Sequence, residues 1–99
     1  MAEAQTGLAA IPALYALIED RRRNAPPGSY TASLFEKGRV EIVKKLGEEA
    51  VEVVVAATAQ TRDRVVYESA DLIYHLLVLL VEQDVSWDEV EAELAKRRK

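Results

Sequence analysis

Two acidic clusters carry most of the chemistry open to this sequence: Glu48, Glu49 and Glu52, then Glu68 and Asp71. Residues three apart share a helix face, which sets Glu49 over Glu52 and Glu68 over Asp71. Glu49 and Asp71 lie eleven residues either side of Gln60, and Glu52 and Glu68 eight either side. An antiparallel helix pair turning near Gln60 therefore brings Glu49 opposite Asp71 and Glu52 opposite Glu68, roughly 12 Å from the turn. Ionised carboxylates converging between apolar helices repel one another, and burying them is costly unless a cation offsets the charge. Oxygen-only donors suit Mg²⁺ or Mn²⁺, and Mg²⁺ combines a few carboxylates with water and substrate phosphates. The alternative is a pair of solvated helix faces whose acids pair with neighbours such as Lys45 and Arg64.

Little other chemistry is open. With 99 residues, no Cys and one His, the chain has no Cys-ligated zinc, disulfide framework, iron-sulfur cluster, thiol nucleophile or multi-His metal site. There is no Gly-x-Ser-x-Gly elbow for a Ser-His-Asp triad, and no Gly-x-Gly-x-x-Gly or Walker loop for phosphates. A net charge of -4, from 13 basic against 17 acidic side chains, argues against a nucleic-acid binder. A small anionic ligand is compatible with that charge if a cation or local basic cluster offsets the repulsion. Lys44 and Lys45 lie one turn before the first acids, and Arg39 opens the same helix. They either pair along the helix, as Glu41 with Lys45, or hold phosphate oxygens that a metal does not reach. His75 shares the face of Asp71 and Glu68, either as a hydrogen-bonded core residue or as a site residue.

The elements positioning these residues read as helices, because four glycines and three prolines leave little for a many-turned β fold and the apolar residues recur at helical spacing. Pro12 suits the first turn of a helix to about Arg23, with Leu14, Leu17 and Ile18 on one face. Asn24 to Ser29, with Pro26, Pro27 and Gly28, forms a loop. A short helical turn through Ser33, Leu34, Phe35 and Glu36 ends near Gly38. Long helices follow over about Arg39 to Ala59 and Arg64 to Gln83, separated by a turn from Thr58 to Asp63. Val51 to Val55 favours a strand locally, but Val43, Leu46, Ala50, Val53, Val54 and Ala57 make a 3.6-period stripe that favours helix. A last helix begins at Ser86, where Ser86-Trp87-Asp88-Glu89 has capping-box spacing, and runs out in Lys96 to Lys99. The basic runs Arg21 to Arg23 and Lys96 to Lys99 complement the helix dipole.

The expectation is one all-α domain over residues 1–99, a bundle of four to five helices around a long antiparallel pair. Leu72 to Val81, apolar nearly all round, asks for cover on two faces, so a homodimer or higher assembly is expected to complete the bundle, the alternative being the central helix of a compact monomer. That segment is about half the roughly 20 residues of a membrane span. Met1 to Leu8 lacks the basic and apolar regions of a secretory signal, which makes a cytoplasmic location the default and a membrane an unexpected partner.

Three stretches carry a family resemblance: Ser29-Tyr30-Thr31-Ala32-Ser33-Leu34-Phe35-Glu36-Lys37-Gly38, Lys44-Lys45-Leu46-Gly47-Glu48-Glu49-Ala50-Val51-Glu52-Val53, and Glu68-Ser69-Ala70-Asp71-Leu72-Ile73-Tyr74-His75-Leu76-Leu77-Val78-Leu79-Leu80. From Leu14 onward the chain resembles the phosphoribosyl-ATP pyrophosphohydrolases of histidine biosynthesis. The Glu-Glu-x-x-Glu and Glu-x-x-Asp part is shared with the wider MazG-like all-α nucleotide pyrophosphohydrolases. The Ser-Tyr-Thr-x-Ser-Leu and Asp-Leu-x-Tyr-His stretches single out the histidine-pathway members.

The resemblance implies a dimeric all-α enzyme that uses Mg²⁺ to hydrolyse phosphoribosyl-ATP to phosphoribosyl-AMP and pyrophosphate. It implies metal ligation by Glu49, Glu52, Glu68 and Asp71, with Glu48 or Glu49 as the carboxylate that activates water. Ser29, Tyr30, Thr31, Ser33, Arg39, Lys44, Lys45 and His75 become the candidate substrate-binding residues. In many bacteria a phosphoribosyl-AMP cyclohydrolase is fused in front of this unit, and here that next step is expected from a separate protein. Two rival readings are a house-cleaning pyrophosphohydrolase of nucleoside triphosphates and a non-catalytic helical dimerisation module. Glu49→Gln or Asp71→Asn is expected to abolish Mg²⁺-dependent pyrophosphate release while far-UV circular dichroism stays helical; full activity in both would exclude this assignment.

Overall fold

A computed structural model describes the backbone of residues 2–98 and the side chains of residues 10–98. Met1 and Lys99, which end the N-terminal stretch and the terminal basic run read above, lie outside the described residues. Five helices follow in order: α1 (Ala2–Asn24), α2 (Tyr30–Lys37), α3 (Arg39–Ala59), α4 (Arg62–Glu82) and α5 (Trp87–Lys96). The described residues contain no strand, as expected from the sequence.

Helix α1 begins well before Pro12, which sits inside it rather than in its first turn. The face turned to the core carries Ile11, Leu14, Tyr15 and Ile18, whereas Leu17 is exposed. That helix ends in a left-handed cap, with Ala25 at φ 45° and its N–H donating to Arg21 O at 2.9 Å. Pro26 to Ser29 then form a turn closed by Ser29 N–H donating to Pro26 O at 3.2 Å, with Gly28 at φ 82°. Pro at the second position and a positive φ at the third define a type II turn, which is why Gly stands there. Ser29 caps α2 by accepting from Ala32 N–H, so the helix starts at Tyr30, three residues earlier than its apolar pattern suggests.

Helices α3 and α4 form the antiparallel pair, joined at Gln60 and Thr61, with Thr61 capping α4. The core lies around α4, where Leu77, Val78 and Val81 meet Ile18, Leu34 and Ile42. Within one chain Leu72 to Val81 is covered better than its composition suggests; only Ile73 in that run is exposed. The exposed apolar surface lies elsewhere. Helix α3 turns Ile42 and Ala56 inward and leaves Val43, Val51 and Val54 open, while early α4 adds Val66 and Tyr67. Of the stripe that favours a helix, Val43, Ala50, Val54 and Ala57 are exposed and Leu46 and Val53 half-buried, so it is largely the outward face.

Helix α4 ends in a Schellman motif, with Val85 N–H donating to Leu80 O and Asp84 N–H to Val81 O. Arg22 donates to Val81 O at 2.7 Å and Tyr15 to Val85 O at 2.7 Å, tying α1 to that end. Helix α5 carries the full capping box of Ser86 and Glu89 and docks through Trp87. Because Ala25 occupies a left-handed conformation that suits Gly, Ala25→Gly is expected to stabilise the fold by about 0.5 to 1 kcal/mol in chemical denaturation, and Ala25→Val to destabilise it.

Candidate functional site

Helices α3 and α4 each contribute two side chains, one turn apart, to the same point: Lys45 and Glu49 from α3, Asp71 and His75 from α4. One oxygen each of Glu49 and Asp71 and one ring nitrogen of His75 lie within 4.8 Å of one another. Glu49 is only 9% exposed and His75 is buried, while Asp71 opens toward solvent. The His75 Nδ1 lies 2.9 Å from Asp71 O. A carbonyl only accepts, so Nδ1 donates the proton, and Nε2 faces the Tyr30 hydroxyl at 3.3 Å. With both ring nitrogens engaged, the oxygens of Glu49 and Asp71 are what remain for a cation.

The electrostatics ask for one. Burial, then hydrogen bonding with Asp71 and repulsion by it, push the Glu49 carboxyl above its ordinary value, with His75 and Lys45 opposing. Lys45 Nζ lies 3.4 Å from Glu48 and 4.0 Å from Glu49. Burial pulls that ammonium down, but Tyr30, Glu48 and Glu49 outweigh it, and its pKa is raised. One ammonium does not balance the buried Glu49 together with the half-exposed Asp71, whereas hard oxygen donors from two helices fit a divalent ion of the Mg²⁺ or Mn²⁺ type.

The other acids stand apart from this cluster. Glu52 is exposed, because three residues along a helix rotate it about 60° from Glu49. Glu68 is buried and takes a charge-assisted hydrogen bond from Arg64, whose guanidinium also sits 4.7 Å over the Tyr67 ring. Glu48 is half-exposed beside Lys45. Of the remaining candidates, Arg39 Nε contacts both Glu82 carboxylate oxygens at 3.0 and 3.1 Å, and Lys44 reaches Glu41 at 3.9 Å on the open side. Thr31 bonds the Tyr74 hydroxyl, and Ser33 Oγ donates to Tyr30 O at 2.6 Å. Tyr30, Thr31 and Lys45 thus gather near the acidic pair, while Arg39, Lys44 and Glu52 do not. Tyr74, absent from the candidates, also belongs here: its ring meets His75 edge-on at 4.8 Å. Its place beside His75 in the sequence was the available signal.

An antiparallel helix pair that brings a carboxylate from each member to one point, beside a buried His, defines an all-α protein with an acidic cluster able to hold a metal ion. The family model described as phosphoribosyl-ATP pyrophosphohydrolase matches residues 11–98, and the chain belongs to that family. It is 57% identical over 86 residues to a phosphoribosyl-ATP pyrophosphatase of Metallosphaera sedula, covering 87% of this chain and 92% of that protein. A phosphoribosyl-ATP pyrophosphatase of Lactiplantibacillus plantarum is 55% identical over 84 residues, covering 85% of this chain and 79% of its own. The histidine biosynthesis bifunctional protein HisIE of Caldanaerobacter subterraneus is 47% identical over 97 residues, 98% of this chain but 47% of that protein.

Mg²⁺ or Mn²⁺ is expected to raise the melting temperature of the wild type in calorimetry, by the equivalent of about 2.7 kcal/mol at a hundredfold excess over the dissociation constant. Glu49→Gln should lose that response, yet in EDTA melt no lower than the wild type, because it removes one of two repelling charges.

Proposed function

We propose that the chain hydrolyses the anhydride between the alpha and beta phosphates of phosphoribosyl-ATP, releasing phosphoribosyl-AMP and pyrophosphate in the second step of histidine biosynthesis. The observation that carries this reading is the meeting of Glu49 and Asp71 within a chain of that family. Glu49 and Asp71 would hold Mg²⁺, or Mn²⁺, and Glu68 would join them once Arg64 lets go, with Glu52 at the open edge. The bound cation supplies charge compensation for the substrate phosphates and the pyrophosphate leaving group.

The protein's own groups do the rest. Lys45, beside Glu49, takes phosphate oxygens, and Lys44 and Arg39 extend positive charge along the same helix. Glu48 or Glu49 accepts the proton of the water that attacks the alpha phosphorus. Ser29, Tyr30, Thr31 and Ser33 present the first turn of α2 to the ribose side, with His75 behind Tyr30. The open valines of α3, with Val66, Tyr67 and Ile73, support a homodimer that covers them. Among the described residues no helix is long and apolar enough to cross a membrane. On this reading the enzyme works in the cytoplasm and hands its product to a phosphoribosyl-AMP cyclohydrolase; the likeness to a bifunctional histidine biosynthesis protein supports a neighbouring step in the same pathway.

Pyrophosphate release should be fastest from phosphoribosyl-ATP with Mg²⁺, negligible in EDTA, and slow from a panel of deoxynucleoside triphosphates. Equal or faster turnover of the panel would favour the house-cleaning reading instead.

A further inference from the structure

We propose that the exposed ring of Tyr30 is the platform on which the purine base of the nucleotide stacks. The inference rests on the hydrolase reading of the acidic centre and assigns the other end of the same substrate. Tyr30 is 51% exposed, yet its ring is held at several points. The hydroxyl meets His75 Nε2 at 3.3 Å, the Tyr74 ring lies 6.4 Å away at an interplanar angle of 28°, and the His75 ring stands edge-on at 6.2 Å. A ring already held by its neighbours loses little freedom when a ligand covers it, which favours binding.

Tyr30 also lies where two features meet. Its hydroxyl end adjoins the Glu49, Asp71 and His75 cluster, and it lines an open cavity of about 940 Å³ together with Pro27, Gly28 and Phe35. The charged side chains on that cavity do not make it a phosphate site. Arg22 is committed to Val81 O and Asp84, and Glu36 is acidic. Its lining is mixed, with the rings of Tyr30, Phe35, Pro26 and Pro27 beside the hydroxyls of Ser29 and Ser33, which suits a nucleobase, an apolar face with a polar edge. With the phosphate chain at the carboxylates, Tyr30 offers a half-exposed ring joined to the cluster through His75, whereas the exposed ring of Tyr67 already carries the Arg64 guanidinium.

Three variants and two probes test the assignment. Tyr30→Phe keeps the ring and loses the bond to His75; its KM for phosphoribosyl-ATP should rise several-fold less than that of Tyr30→Leu. Tyr30→Leu removes the ring, and its KM should rise roughly tenfold or more with a much smaller change in kcat. Tyr30→Trp places a fluorophore on the platform, with the wild type, whose single tryptophan is Trp87, as baseline. Its added emission should be quenched by AMP and not by inorganic pyrophosphate. An unchanged KM in Tyr30→Leu, or equal quenching by both probes, overturns the platform. If the wild type releases no pyrophosphate from phosphoribosyl-ATP, the hydrolase reading fails, while the fluorescence comparison still decides whether a base stacks on this ring.

Discussion

Two carboxylates, Glu49 and Asp71, are held together between packed helices with too little positive charge to balance them. The rest of the structure is organised so that this repulsion is tolerated. Ala56, wholly buried, lets α3 lie close to α4, and the apolar contacts of α4 with α1 and α3 supply the stability that the acidic point subtracts. Compensation comes in pieces: Lys45 against Glu48 and Glu49, and Arg64 against Glu68. A divalent ion would replace several partial balances by one strong one.

His75 shows how the centre is tied to its surroundings. Its position among leucines and valines suggests either a packed core residue or a site residue, and the structure gives it both characters. The ring is buried and hydrogen-bonded, yet it links Asp71 on α4 to Tyr30 on α2. Thr31 and Tyr74 form a second link between the same two helices. The first turn of α2 is thereby fastened beside the acidic pair.

Much of the fold was legible because its signals are local. Gly38 closes α2 and opens α3 at φ 99°, Thr61 and Ser86 cap the helices that follow them, and the 3.6-residue spacing carries α3 through its run of valines despite their preference for strands. Local signals failed where a choice depended on other helices. Pro12 reads as a helix start, because a start is where Pro costs least, yet α1 runs through it. The stripe along α3 identified the helix correctly and its buried face poorly, since Ile42, Glu49 and Ala56 point inward while Val43, Ala50, Val54 and Ala57 do not.

The same division holds at the site. Sequence by itself narrowed the donor chemistry, because a chain with no Cys and one His offers a metal mainly carboxylate oxygens, and it determined the pairing of Glu49 with Asp71, because residues equidistant from a tight turn meet when helices fold back antiparallel. Tertiary structure alone decided which acids converge. The same spacing places Glu52 and Glu68 as a second pair, but Glu52 faces solvent and Glu68 is taken by Arg64. Spacing along a helix fixes the angles between side chains but not the rotation of the helix about its axis. That rotation is set by which apolar residues, here Ile42 and Ala56 on α3 and Leu77, Val78 and Val81 on α4, the rest of the chain buries.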